Sequence, residues 1–157
     1  MLIINDPRII AVQAKGFFAY LWNLVKTDSP LISHEEKSAV KKCIPYTELF
    51  GKSKIEDVIN RKDEYVVKSS LGRYSQEVYI GINYSPEDWK CRVESIGESR
   101  KVHIIQERID IRQDYTYAPD INGTNMPISA YGNFGTYIMK DKAIGFLVRW
   151  GEQPPYK

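Results

Sequence analysis

Residues 44–61 read IPYTELFGKSKIEDVINR, and the fold turns on how this stretch divides. Pro45 is tolerated in a first helical turn, and Gly51 can close a helix in a left-handed conformation. The pattern therefore predicts a short helix over 46–50. Ser53 and Glu56 stand at capping-box spacing, where serine takes the N3 amide and glutamate returns to the cap amide. A further helix is expected from Ser53 to Asn60 or Arg61, with Ile55, Val58 and Ile59 as its apolar side.

Upstream, residues 14–26 read AKGFFAYLWNLVK. Ile10, Ala14, Phe17, Leu21 and Leu24 follow the three-and-four spacing of one helix face, which predicts a helix from Arg8 or Ile9 to Lys26. Phe18, Trp22 and Val25 widen that face, so a central helix covered on several sides is expected. Gly16 falls inside it, at a cost of roughly 1 kcal/mol against alanine, and could permit close approach of another backbone. Ser33 and Glu36 make a second capping box, and this helix should end before Pro45.

Downstream, residues 64–69 and 76–83 are rich in β-branched and aromatic residues and read as strands around a tip at 70–75. Ser85 and Pro86 have the look of an N-cap and N1 pair. Residues 101–111 fit a strand or a short helix, and Val102, Ile104, Ile109 and Ile111 favour strand. Residues 114–134 read as turn-rich. Residues 135–139 and 143–150 read as a closing hairpin, and the last five residues as a loose tail. The texture changes from helical to β-type near 83–88. The expectation is an α+β chain, with one region over 1–84 and a β-rich region over 85–157 that could pack as one compact domain.

The chain has 157 residues, a hydrophobic fraction of 43% and a net charge of +2. That is enough for one ordinary domain or two very small ones, and too little charge to imply a nucleic-acid partner by itself. Cys43 and Cys91 form no metal-binding spacing and are expected to be reduced and mostly buried. The amino terminus lacks a secretory pattern, and no apolar run approaches the ~20 residues that span a bilayer. A cytoplasmic location without a membrane partner is expected. Asn122, Gly123 and Thr124 match a glycosylation triplet but read as a turn.

The order helix, helix, short helix, tight turn, helix, strand, tip, strand resembles a winged helix-turn-helix domain of the plasmid and phage replication-initiator type. The similarity covers residues 8–83, and AKGFFAYL at 14–21 has the texture of an early helix in such domains. It implies a supporting helix at 46–50, a recognition helix at 53–61 and a wing at 68–75. It also implies double-stranded DNA as partner and a mobile element as setting.

Charge follows that expectation. Residues 37–73 hold nine Lys or Arg against five Asp or Glu, a net +4 that leaves −2 for the rest. The implied DNA contacts are Lys52, Ser53, Lys54, Asn60, Arg61, Lys68 and Arg73, with the lysines chiefly on phosphates. Asn60 is placed to read a base edge and Arg73 to enter the minor groove from the wing. Glu56 and Asp57 oppose this reading, and a solvated helical surface would show the same cations.

The aromatic residues Tyr115, Tyr117, Tyr131, Phe134 and Tyr137 lie in a Gly-, Asn- and Pro-rich region. Residues 115–139 contain no Lys or Arg, so base stacking with interleaved cations is disfavoured against packing or a protein interface. Tyr115, Tyr117, Tyr131 and Phe134 are the candidate interface residues. The chain has no GxSxG, P-loop, GxGxxG or HExxH, its two histidines are far apart, and its acidic pairs are adjacent rather than on one helix face. No enzyme activity, cofactor or metal is therefore expected. The leading expectation is non-catalytic DNA binding in regulation or replication control. The alternative is a protein-binding adaptor or inhibitor, such as a phage counter-defence protein, working through the tyrosines.

Overall fold

A computed structural model describes residues 9–72, 77–139 and 142–151. The chain forms a mixed α+β structure of two compact units, Met1–Ile109 and Asp110–Lys157. The textural change at 83–88 thus falls inside the first unit.

The first unit begins with α1 (Ile9–Gln13) and α2 (Gly16–Lys26). The single helix expected from Arg8 or Ile9 to Lys26 is therefore broken, and Arg8 lies outside the described residues. At the break, the Lys15 amide donates to the Ser70 carbonyl at 2.8 Å instead of continuing the helical ladder. Gly16 stands at the start of α2, not in mid-helix, and its amide donates to Ser70 Oγ at 3.1 Å. The close neighbour of this glycine is a side chain and not the expected second backbone: a Cβ there would sit 2.7 Å from that oxygen.

Next comes α3 (His34–Cys43), opened by the Ser33–Glu36 capping box, with both reciprocal bonds formed. Residues 46–50, expected as a helix, instead contain strand β1 (Thr47–Leu49). Long-range pairing overrides the local pattern here. Thr47 is fully buried, donates its hydroxyl to the Pro45 carbonyl at 2.7 Å and accepts from Gln106 Nε2 at 2.9 Å. After a 3-10 turn at Lys52–Lys54 comes α4 (Ile55–Asn60). The Ser53–Glu56 capping box does not form, because Ser53 is inside the tight turn and Lys54 occupies the cap position without a side-chain bond.

A second 3-10 turn, Lys62–Glu64, leads into β2 (Tyr65–Ser69). Strand β3 (Val78–Ile80) is shorter than the expected 76–83 because Gly81–Asn83 coils into a further 3-10 turn. Helix α5 (Pro86–Glu98) starts as the sequence predicts, with Ser85 Oγ accepting from the Asp88 amide and Pro86 in the first turn. The segment left open between strand and helix contains β4 (His103–Glu107).

The sheet order is β1-β4-β2-β3, antiparallel at every pairing. Opposed residues share a face, so Tyr65, Val67 and Ile105 point to one side. There they join Val58 of α4 and Trp89, Val93 and Ile96 of α5 in the core. Val66, Ile104, Gln106 and Lys68 point to the other side, where α2 packs over β1 and β4. Helix α2 is not fully enclosed. Ala19 and Leu24 are buried, Phe17, Leu21 and Trp22 are half-buried, and Phe18 and Tyr20 are exposed. Cys43 and Cys91, expected to be mostly buried, are free and exposed.

The second unit contains β5 (Asp114–Pro119), β6 (Asn125–Met139) and β7 (Lys142–Gly151). The expected turn-rich character of 114–134 is confined to residues 120–124, where Asp120 Oδ1 accepts from the Asn122 and Thr124 amides. The remainder pairs as strand, since its alternating side chains suit a ladder despite its glycines. The glycosylation triplet forms part of this turn, and Gly123 carries a φ of 81° there. The expected closing hairpin is present as β6 and β7, with an irregularity between Tyr137 and Ile138.

Candidate interaction surfaces

The residues proposed to meet DNA are spread over four local environments. Lys52 and Ser53 are exposed in the 3-10 turn before α4, and Asn60 is exposed at the end of that helix. Lys54 is paired with Glu48 at 3.1 Å. Arg61 is bound on three sides: to Glu64 at 2.6 Å, to Asp57 at 3.7 Å, and over the Tyr65 ring at 4.7 Å. The Glu64 hydrogen bond holds the Arg61 guanidinium still more firmly protonated and holds the Glu64 carboxyl below the usual range. Arg73 lies outside the described residues.

Lys68 has a different setting. It is half-buried on the α2 side of the sheet, and its Nζ donates to Gln106 Oε1 at 2.6 Å. Gln106 in turn donates to Thr47, which donates to the Pro45 carbonyl. Burial, followed by the positive charge of Lys15, pushes the Lys68 ammonium below the usual lysine value. Burial also lowers Lys15, whose Nζ is hydrogen-bonded to the Gly72 carbonyl. Lys68, Gln106 and Thr47 thus form a polar chain across β2, β4 and β1.

At the far end of β2 and β4 a cavity of about 410 Å³ is lined by Tyr46, Arg61, Glu64, Tyr65 and Glu107, among others. Within its wall Arg61 pairs with Glu64 at 2.6 Å. His34 is exposed, and His103 is buried with Nδ1 3.0 Å from the Lys101 carbonyl. Among the described residues no group of three or more His, Cys, Asp or Glu is placed to hold a metal ion. No described helix is long and apolar enough to cross a membrane.

The second unit concentrates exposed apolar surface. β5 pairs with residues 125–130 of β6, and β7 pairs with 131–139. Along its described length the ladder is therefore two strands wide. Opposed residues share a face and alternate residues change it, so the register sorts the aromatic side chains. Tyr115, Tyr117, Tyr131 and Tyr137 fall on one face, with Ser129, Asn133 and Arg149. Phe134 falls on the other, with Ile128, Phe146, Val148 and Trp150.

Of the four candidate interface residues, three thus share a surface and Phe134 does not. Tyr115 and Tyr117 are 83% and 72% exposed, and Tyr131 is half-buried. Tyr137, Phe146 and Trp150 belong to these surfaces but were not among the interface residues expected from sequence. The alternation of Phe146, Val148 and Trp150 with Leu147 and Arg149 was the available signal. No protein-family model, no curated protein and no solved structure matches the chain.

Proposed function

We propose that this chain is a non-catalytic protein-binding adaptor or inhibitor that takes its partner on the tyrosine face of the second unit. The observation that carries this reading is the register that collects Tyr115, Tyr117, Tyr131 and Tyr137 on one face. Tyrosine offers a large rigid contact area and a polar tip at low entropic cost, and interfaces are enriched in it. The neighbouring Ser129, Asn133 and Arg149 supply hydrogen-bonding groups, as a moderately polar interface requires. The proposed setting is the cytoplasm, where two free exposed thiols stay reduced.

The test is capture of the partner by the full chain, its identification, and titration of the purified pair. Replacing Tyr115, Tyr117 and Tyr131 together with serine should weaken binding by at least about thirtyfold, as for loss of hot-spot residues. Unchanged affinity in the triple variant removes this reading.

A second reading is DNA binding by the first unit, favoured by exposed Lys41, Lys42 and Lys52 in the segment of net +4. Here residues 53–61 would serve as the recognition helix and residues 68–75, of which 73–75 lie outside the described residues, as the wing of a winged-helix-like half. The mobile-element setting belongs to this reading and rests on the resemblance. Duplex DNA titrated at two salt concentrations separates the readings. The DNA reading expects salt-sensitive micromolar binding that weakens in a Lys52→Ala/Lys54→Ala variant. Absence of salt-sensitive binding ends it.

A further inference from the structure

Lys15 and Lys68 are two neighbouring half-buried cations, and among the described residues neither is paired with a carboxylate. Lys68 Nζ donates to Gln106 Oε1 at 2.6 Å, and Lys15 Nζ is hydrogen-bonded to the Gly72 carbonyl. Ser70 brings the two together. It lies two residues after Lys68, its carbonyl accepts from the Lys15 amide at 2.8 Å, and its Oγ accepts from the Gly16 amide at 3.1 Å. The lysines are close enough for the charge of Lys15 to lower Lys68. The carboxylate of Glu77, whose carbonyl takes the Ser69 amide, is committed to Lys101.

An ammonium carries three N–H groups, and on each lysine one neutral oxygen is the acceptor. The Ser70 hydroxyl, in a residue only 7% exposed, accepts a bond but donates to no described group. Like charges drawn out of water without an opposing charge are costly, and an anion set among these donors offsets that cost. Two ammoniums match a dianion. A phosphate monoester carries about −1.5 to −2 at neutral pH, whereas a carboxylate or a phosphodiester brings a single charge and leaves one ammonium unmatched. Lysine serves phosphate as a point charge, so it needs no forked geometry.

We propose that Lys15, Lys68 and the Ser70 hydroxyl form a binding site for a dianionic phosphate group, as inorganic phosphate or as the end of a small phosphomonoester. The site belongs to the first unit, so it does not depend on the tyrosine face. It also sets Lys68 apart from the duplex reading, in which the same lysine would hold a monoanionic phosphodiester.

Calorimetric titration of the full chain with inorganic phosphate, at constant ionic strength in chloride, should show one saturable site. Lys15→Met and Lys68→Met should each weaken it at least about tenfold, the worth of one charge-assisted hydrogen bond. Ser70→Ala should weaken it by a smaller step, and Lys90→Met, at an exposed position on α5, should leave it unchanged. Dimethyl phosphate, a monoanion, should bind at least about tenfold more weakly than inorganic phosphate. Methyl phosphate separates the two sources: affinity equal to that of inorganic phosphate assigns the site to a phosphomonoester, and binding of inorganic phosphate alone assigns it to the free ion. A second measurement uses the unaltered chain, so it does not rely on the folding of any variant. Inorganic phosphate should slow acetylation of Lys15 and Lys68 by acetic anhydride, read by mass spectrometry, and leave Lys90 unaffected. The proposal is overturned by the absence of saturable phosphate binding, by binding that survives Lys68→Met, or by equal acetylation of Lys15 and Lys68 with and without phosphate. Dimethyl phosphate or duplex DNA bound through Lys68 as tightly as inorganic phosphate also overturns it, since a single charge then suffices.

Discussion

Trp89 is fully buried, and its indole nitrogen donates to the Val58 carbonyl at 2.9 Å, tying α5 to α4. Trp89→Phe keeps much of the apolar contact but leaves that carbonyl without its donor. The expected loss is about 1–3 kcal/mol for the orphaned group, with a cavity cost added, read by urea denaturation of the full chain. Gly81 is more severe. A Cβ there would stand 1.7 Å from the Lys62 carbonyl oxygen, and two packed backbones must separate to admit it. Gly81→Ala is expected to cost more than about 3 kcal/mol, beyond the usual range for a point change. Lys68 gives a pH signature. Its folded-state value lies below its unfolded one, so between them the unfolded chain holds more protons and stability rises with pH. Lys68→Met should flatten that rise as pH climbs toward the ordinary lysine value of about 10.4. Parallel alkaline stability curves for the two proteins would refute it.

Among elements, α2 supplies a case where propensity and packing disagree. Glycine-to-alanine in an exposed helix interior is worth about 1 kcal/mol of gain. At Gly16 the added carbon meets Ser70 Oγ, so Gly16→Ala should destabilise. Ser70→Ala in the same chain should recover part of the loss, a coupling of at least about 0.5 kcal/mol in a double-mutant cycle.

Elements whose cause is local are legible in the sequence. Helices α3 and α5 follow from Ser33–Glu36 and Ser85–Pro86 because the cap and the helix are the same few residues. The Ser53–Glu56 pair has identical spacing and fails, since the tight turn after Gly51 displaces Ser53 from the cap. Strand β1 had no local signature: its three residues are held by β4 and by the Gln106–Thr47 bond across 59 positions. The tyrosines were legible as a composition, but their separation from Phe134 follows from register, which needs both strands of a pair.

For the molecule as a whole, residues 108–113 carry no regular structure between the two units, and Arg112 is exposed within them. Limited trypsin digestion should therefore accumulate a fragment ending at Arg112 that still unfolds cooperatively, because its core residues all precede Ile109. Loss of cooperative unfolding in that fragment would show that the first unit depends on the second. The place of β4 has a further consequence in time. It sits between β1 and β2, yet it is made last of the four strands. During synthesis from the amino terminus, β1 has no neighbour in the sheet and β2 has only β3 until residue 107 emerges. Non-local pairing of this kind is slow and leaves strand edges open to aggregation. A ribosome stalled before His103 would hold a nascent chain with helices formed and its sheet split, the stage at which a holding chaperone has most to protect.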